Sequence, residues 1–202
     1  MYVRANTFTA DPDKIDDGLR FIKERVLPLT DSAAGNRGLA MSVDRDTGNG
    51  SVVSFWDDLE SLRASESAIA PLRDEAAAVL GGSLTPQVLE TVEQIMPRPP
   101  TPGCWNRITV LELEPADVDK TIEVFRTSTA PALEAMEGFC AAMLNVDRAG
   151  GRGVAVTIWR DRDALTASRE RASGLRQEVT DKAHGTVVSV EEHEIVLSMR
   201  HG

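Results

Sequence analysis

Val43-Asp44-Arg45-Asp46-Thr47-Gly48-Asn49-Gly50-Ser51-Val52-Val53-Ser54-Phe55-Trp56 ends one strand, turns through Thr47 to Gly50, and returns as a second strand that stops at a tryptophan. A Gly-rich turn between two apolar, β-branched runs is the signature of a hairpin. The stretch Val146-Asp147-Arg148-Ala149-Gly150-Gly151-Arg152-Gly153-Val154-Ala155-Val156-Thr157-Ile158-Trp159 has the same plan 103 positions later.

At that fixed offset the matches extend in both directions. Arg4 meets Arg107, Pro12 meets Pro115, Pro28 meets Pro131, Gly35 meets Gly138, Asp58 meets Asp161, and Leu72-Arg73 meets Leu175-Arg176. About 20 of roughly 95 aligned positions are identical, many of them glycine, proline or tryptophan, where geometry restricts the choice. The chain is therefore an internal duplication. Pro97-Arg98-Pro99-Pro100-Thr101-Pro102-Gly103 separates the copies as a stiff, extended linker. The expected organisation is a first repeat over 1–96, a linker over 97–104 and a second repeat over 105–202.

Each copy reads in the same order. A strand over 2–9 is followed by a helix that Asp11-Pro12 starts, with Asp as N-cap and proline in the first turn. Ile15, Leu19, Ile22 and Val26 form its apolar stripe. The hairpin (39–56), a second helix (58–80) and a last strand (86–96) complete the copy. The second copy repeats this with a strand over 105–113, a helix over 115–135, a hairpin over 139–160, a helix over 161–182 and a strand over 186–199. Strand–helix–strand–strand–helix–strand is the ferredoxin-like order, with both helices on one sheet face. Val3, Ala5 and Thr7, with Ile108 and Val110 in the second copy, fit the other face. That face would cost ~25 cal/mol per Å² if left in water. The expected fold class is α+β: two ferredoxin-like βαββαβ repeats forming one intramolecular dimeric α+β barrel, which also removes free strand edges.

The formal net charge of -10, without a dense Lys/Arg run, argues against nucleic acid as a partner. No apolar stretch approaches the ~20 residues that span a bilayer, and no secretory signal follows Met1, so no membrane partner is expected and the cytoplasm is the expected location. Cys104 and Cys140 have no metal-type spacing and are too few for a disulfide framework.

The strand ending in Trp56 that enters a helix through Asp57-Asp58-Leu59-Glu60-Ser61-Leu62, echoed at Trp159-Arg160-Asp161, resembles the dimeric α+β barrel superfamily, in its antibiotic biosynthesis monooxygenase branch. Members of that branch are single repeats that dimerise, and this chain resembles two of them fused. The resemblance implies a small organic ligand and either of two activities. One is cofactor-independent monooxygenation of an aromatic or other organic substrate, in which the protein supplies proton removal, an oxyanion partner and a dry pocket. The other is haem degradation, where an Asn on the first strand, a Trp on the second helix and a His beyond it form the site. Asn6 matches the Asn, and its counterpart is Thr109. The Trp would fall near Ser65 and Ser168, and the first copy has no histidine. Haem chemistry therefore ranks last, and no cofactor and no metal site are expected.

Asn6 is the candidate catalytic residue, because Asn is poorly suited to a strand. Its alternative is a buried amide satisfied by backbone. Arg4, Ser65 and Trp56 are the candidate ligand-binding residues. For Arg4 and Arg107 an edge salt bridge is the competing role, and for Trp56 and Trp159 it is packing of the hairpin against a helix. His184 reads as a helix C-cap, and His193 as a solvated strand or interface residue. The leading function is a small-molecule-binding barrel, with oxygenase activity as its enzymatic form. The alternative is a non-enzymatic ligand-binding or interaction module of the same fold. A homodimer of the fused chain is the expected assembly.

Overall fold

The computed structural model describes residues 1–201. Strand β1, Tyr2–Thr9, leads to Asp11, whose carboxylate accepts from the Asp13 amide at 3.1 Å and caps a 3-10 turn at Pro12–Lys14. Helix α1 (Ile15–Phe21) follows, then a π-helical turn at Ile22–Val26, then α2 (Leu27–Asp31). The π-turn has a covalent reason: Pro28 has no N–H to donate to the preceding turn, so the helix widens and the Leu27 amide reaches back to Ile22 O. The hairpin consists of β2 (Asn36–Val43) and β3 (Asn49–Trp56). Asp58 accepts from the Ser61 amide at 2.7 Å and caps α3 (Leu59–Ala64), which continues into α4 (Glu66–Leu80). Strand β4 is Ser83–Ile95.

The second copy repeats this order, although Glu114, the counterpart of Asp11, makes no side-chain cap. It comprises β5 (Trp105–Glu112), α5 (Val118–Val124), a π-turn at Phe125–Thr129 before Pro131, α6 (Ala130–Glu134), β6 (Phe139–Asp147), β7 (Arg152–Trp159), α7 (Arg162–Ala167), α8 (Arg169–Ala183) and β8 (Thr186–Arg200). Asp161 caps α7 as Asp58 caps α3. His184 ends α8 with φ of 54°, as Gly81 ends α4 with φ of 67°. Hydrogen bonding orders the strands β1-β3-β2-β8-β5-β7-β6-β4 as a closed antiparallel barrel.

The chain packs as two compact units, one running Met1–Leu89 and resuming at Ile195, the other Glu90–Glu194. Each long last strand thus divides between units. In the first unit Phe8, Ile15, Ile22, Met41 and Leu80 pack with Val196 and Leu197 of β8. In the second, Leu111, Phe125, Leu133, Leu144, Leu175 and Val179 form the core, with Trp159 edge-on to Phe139 at 5.6 Å.

Strand parity separates the two faces of the sheet. Arg4, Asn6 and Phe8, with Arg107, Thr109 and Leu111, are the buried alternate positions of β1 and β5. On the other parity Val3 is buried, but Thr7 is exposed and Ala5, Ile108 and Val110 are half-buried. The apolar letters lie on the face away from the helices, where the sequence reading puts them, although Thr7 is exposed there, and the helix-facing side is not purely apolar. On that side the sheet buries polar side chains whose hydrogen bonds the helices complete.

Candidate functional site

In the first unit the buried face of β1 carries a polar cluster. The Arg4 side chain is 2 % exposed. Its Nη1 donates to Ser65 Oγ at 3.0 Å, and its Nη2 donates to Leu62 O at 2.6 Å and pairs with Glu66 Oε2 at 2.9 Å. Its guanidinium carbon lies 5.8 Å from the Trp56 ring centre. Asn6 Nδ2 donates to Val52 O at 3.3 Å, and Asn6 Oδ1 accepts from Arg73 Nε at 2.9 Å. Arg73 Nη2 also reaches both Glu66 oxygens, at 2.9 and 3.1 Å. The α3–α4 junction supplies Ser65 and Glu66, α4 supplies Arg73 about two turns on, and β1 supplies Arg4 and Asn6.

All five polar residues are thus locked into one cluster, with Glu66 as the single carboxylate that joins the two guanidiniums. Burial lowers the affinity of Arg4 for its proton, and Glu66 opposes that. Trp56 is fully buried, with Nε1 donating to Ser54 Oγ at 2.9 Å. Ser65 additionally lines an open groove with Leu29, Ala33, Asp58, Ser61 and Ile69. The structure therefore brings Arg4, Asn6, Ser65 and Trp56 together around Arg4 and Arg73. Glu66 and Arg73 were not singled out by sequence reading, although Arg73 recurs as Arg176.

The second unit keeps the arginine frame and changes its partners. Arg107 Nη1 donates to Ser168 Oγ at 2.9 Å and Nη2 to Leu165 O at 2.9 Å, matching Arg4 atom for atom. Its carboxylate now comes from β8: Arg107 Nε donates to Glu192 Oε1 at 2.9 Å, and Arg169 also pairs with Glu192. Burial pushes the Glu192 carboxyl up, but hydrogen bonds from Arg169 and Arg107 outweigh it and hold it below the ordinary glutamate value.

Thr109 and Arg176, the counterparts of Asn6 and Arg73, are not hydrogen-bonded to each other. Instead they line a small cavity, about 50 Å³ in volume, that opens to solvent. Leu111, Phe125, Leu133, Leu144, Ala172 and Val179 supply its apolar wall, and Thr109, Thr121, Thr129 and Thr157 place hydroxyl-bearing side chains along it. Such a site, apolar with a few convergent polar groups, has the make-up of a small-molecule pocket.

Other candidates fall elsewhere. His184 stands 3.7 Å from Asp117, and His201 lies 2.7 Å from Asp31. His193, expected to be solvated, is 2 % exposed and sits 3.3 Å from Glu191. Its β8 position opposite Asn106 of β5 buries it, which the charged neighbours in sequence concealed. Cys104 and Cys140 are buried free thiols, and burial, with Cys104 alongside, raises the Cys140 thiol. Among the described residues no group of three His, Cys, Asp or Glu side chains could hold a metal ion, and no helix is long and apolar enough to cross a membrane.

The antibiotic biosynthesis monooxygenase family model matches residues 1–70. The uncharacterized protein Rv2558 of Mycobacterium tuberculosis H37Rv is 33 % identical over 199 residues, covering 98 % of this chain and 84 % of that one. Rv2557 of the same strain is 29 % identical over 198 residues, covering 98 % and 88 %. Among solved structures, an anthrone oxidase-like protein is similar with a TM-score of 0.71 at 18 % identity, over 98 % of this chain and 92 % of that one. The haem-degrading enzyme LmHde of Listeria monocytogenes is similar at 0.58 and 8 % identity, over 96 % and 99 %. Likeness at such identities speaks to fold. With relatedness to Rv2558 across 98 % of its length, the chain belongs to the family that includes Rv2558, a closed eight-stranded α+β barrel whose first 70 residues match the antibiotic biosynthesis monooxygenase family model.

Proposed function

We propose that this protein binds a small organic molecule, and that the cavity of the second unit is where it binds. The observation that carries this reading is the cavity itself: a mainly apolar space beside a buried arginine frame, on the sheet face that the helices cover. Apolar walls provide the driving force for an organic ligand, and the threonines and arginine orient it. Nothing in this requires a resident cofactor. The ligand is a soluble organic molecule rather than nucleic acid, given the net charge of -10.

A second reading, cofactor-independent monooxygenation, is favoured by the family match over residues 1–70, which contains the Arg4–Asn6–Ser65–Trp56 cluster. In that reading Asn6 and Arg4 stabilise a substrate oxyanion, while the carbanion or phenolate form of the substrate reacts with oxygen. The anthrone dithranol serves as one probe for both readings. Anaerobic titration followed by tryptophan fluorescence is expected to show saturable binding that Ala172→Phe, which fills the cavity, weakens at least tenfold. Air is then admitted and oxygen uptake is measured. Uptake above the protein-free rate that Asn6→Ala reduces at least tenfold, while Thr109→Ala does not, supports oxygenation in the first unit. Absence of protein-dependent uptake removes the oxygenase reading and leaves the binding one. Binding indifferent to Ala172→Phe removes the cavity as the ligand site.

A further inference from the structure

The two copies differ at the positions that surround one conserved arginine. In the first unit Arg73 is consumed: Asn6 accepts its Nε–H, and Glu66 accepts from its Nη2 through both oxygens. In the second unit the same arginine is Arg176, and both partners have been exchanged. Asn6 is replaced by Thr109, which makes no hydrogen bond to it, and Glu66 by Arg169, a cation. Arg176 has neither a hydrogen bond nor an ion pair among the described residues. It is half-buried, it lines the cavity, and the carboxylate nearest in effect, Glu192, acts on it only through space. That carboxylate is already held by Arg107 and Arg169.

Arg107 cannot serve as the free cation, because its Nη1, Nη2 and Nε are all donated to Ser168, Leu165 and Glu192. The local count is three guanidiniums, Arg107, Arg169 and Arg176, against one carboxylate. A guanidinium withdrawn from water without a partner is costly, and a bidentate oxyanion is the group its planar fork fits best. Burial lowers its hold on its proton and Arg107 lowers it further, yet arginine stays charged throughout the accessible pH range.

We propose that Arg176 is the anchor for an organic anion: the second-unit cavity takes a ligand with a carboxylate or similar planar oxyanion at the Arg176 end and a compact apolar body against Phe125, Leu133, Leu144 and Val179. This rests on the reading of the cavity as a ligand site and adds the charge of the ligand to it. The first unit has the same frame with its arginine internally neutralised, so the anion preference belongs to the second unit alone.

The test uses the full chain and two probes of the same shape, 2-naphthoate and the neutral 2-naphthylmethanol, with binding measured by calorimetry. Wild-type protein is expected to bind naphthoate about tenfold or more tighter than the alcohol, as a charge-assisted bidentate pair gives. Arg176→Gln abolishes that preference without weakening the alcohol, and Arg176→Lys retains part of it. Arg73→Gln leaves it unchanged. Arg169→Glu restores the acid that neutralises Arg73 in the first unit, so it occupies Arg176 and also lowers naphthoate affinity at least fivefold, with the alcohol again unaffected. Equal affinity of wild type for both probes, or a naphthoate preference that survives Arg176→Gln, overturns the anion proposal while the ligand-site reading stands. Failure of wild type to bind either probe overturns both.

Discussion

Glu192 shows how much one residue organises. It sits on β8, accepts from Arg107 and Arg169, and replaces the acid that the first unit draws from α4. Its carboxyl is held below the ordinary value by those two arginines, against the opposing effect of burial. A carboxylate depressed in the folded state contributes stability that is fully present above its unfolded pKa and is lost as pH falls through the folded one. Stability of the protein to urea is therefore expected to decline below about pH 4, and Glu192→Gln is expected to flatten that decline while lowering stability at pH 7. Urea midpoints of both proteins between pH 3 and 7 provide the measurement. An unchanged acid slope in Glu192→Gln would show that the carboxylate is not the linked group. Asn6 is the contrasting residue. Its unusual place on a strand was legible, but the reason for it was not: the partner is Arg73, 67 positions away in sequence.

At the scale of elements, the hairpins depend on a backbone that only glycine adopts cheaply. Gly48 has φ of 78° and Gly151 has φ of 63°. A Cβ added at either would stand 2.1 Å from a carbonyl oxygen, Ala10 O or Leu113 O respectively. Those two segments are joined to the turns by the hydrogen bonds Ala10 N to Gly48 O (2.9 Å) and Leu113 N to Gly151 O (2.7 Å). Gly48→Ala and Gly151→Ala are each expected to destabilise by about 1–3 kcal/mol or more, read as a lowered urea midpoint at unchanged slope. A midpoint equal to wild type would mean that the turn relaxes freely. Turn chemistry of this kind is written in the sequence, since a hairpin at Thr47 to Gly50 follows from its glycines. The π-turns are not. Pro28 and Pro131 are visible, but whether a helix breaks, kinks or widens before a proline depends on the sheet it packs against.

For the whole molecule, the notable feature is that compact units and sequence repeats have different edges. The sequence reading sets the changeover between repeats at the proline linker, whereas the first unit takes Val196 and Leu197 from the far end of the chain. Both side chains are at least 90 % buried. Leu197→Ala is expected to cost about 2–5 kcal/mol, and hydrogen exchange should register the loss in Phe8, Ile22 and Met41, more than 150 residues away in sequence. Increased exchange confined to the second copy would contradict this assignment of β8.

The sequence by itself determined the recurrence at one offset, the βαββαβ order, the helix cap at Asp11 and the family resemblance. All of these rest on local chemistry: turn glycines, capping carboxylates, apolar periodicity and the recurrence of each at one offset. Tertiary structure alone decided that Arg4 and Arg107 belong to the interior, and that one copy closes its polar cluster while the other leaves a cavity. Those outcomes turn on pairings between residues 58 to 85 positions apart, such as Arg4 with Leu62 and Arg107 with Glu192. A buried arginine is tolerable only where distant groups happen to meet its donors, and no window of sequence contains that meeting.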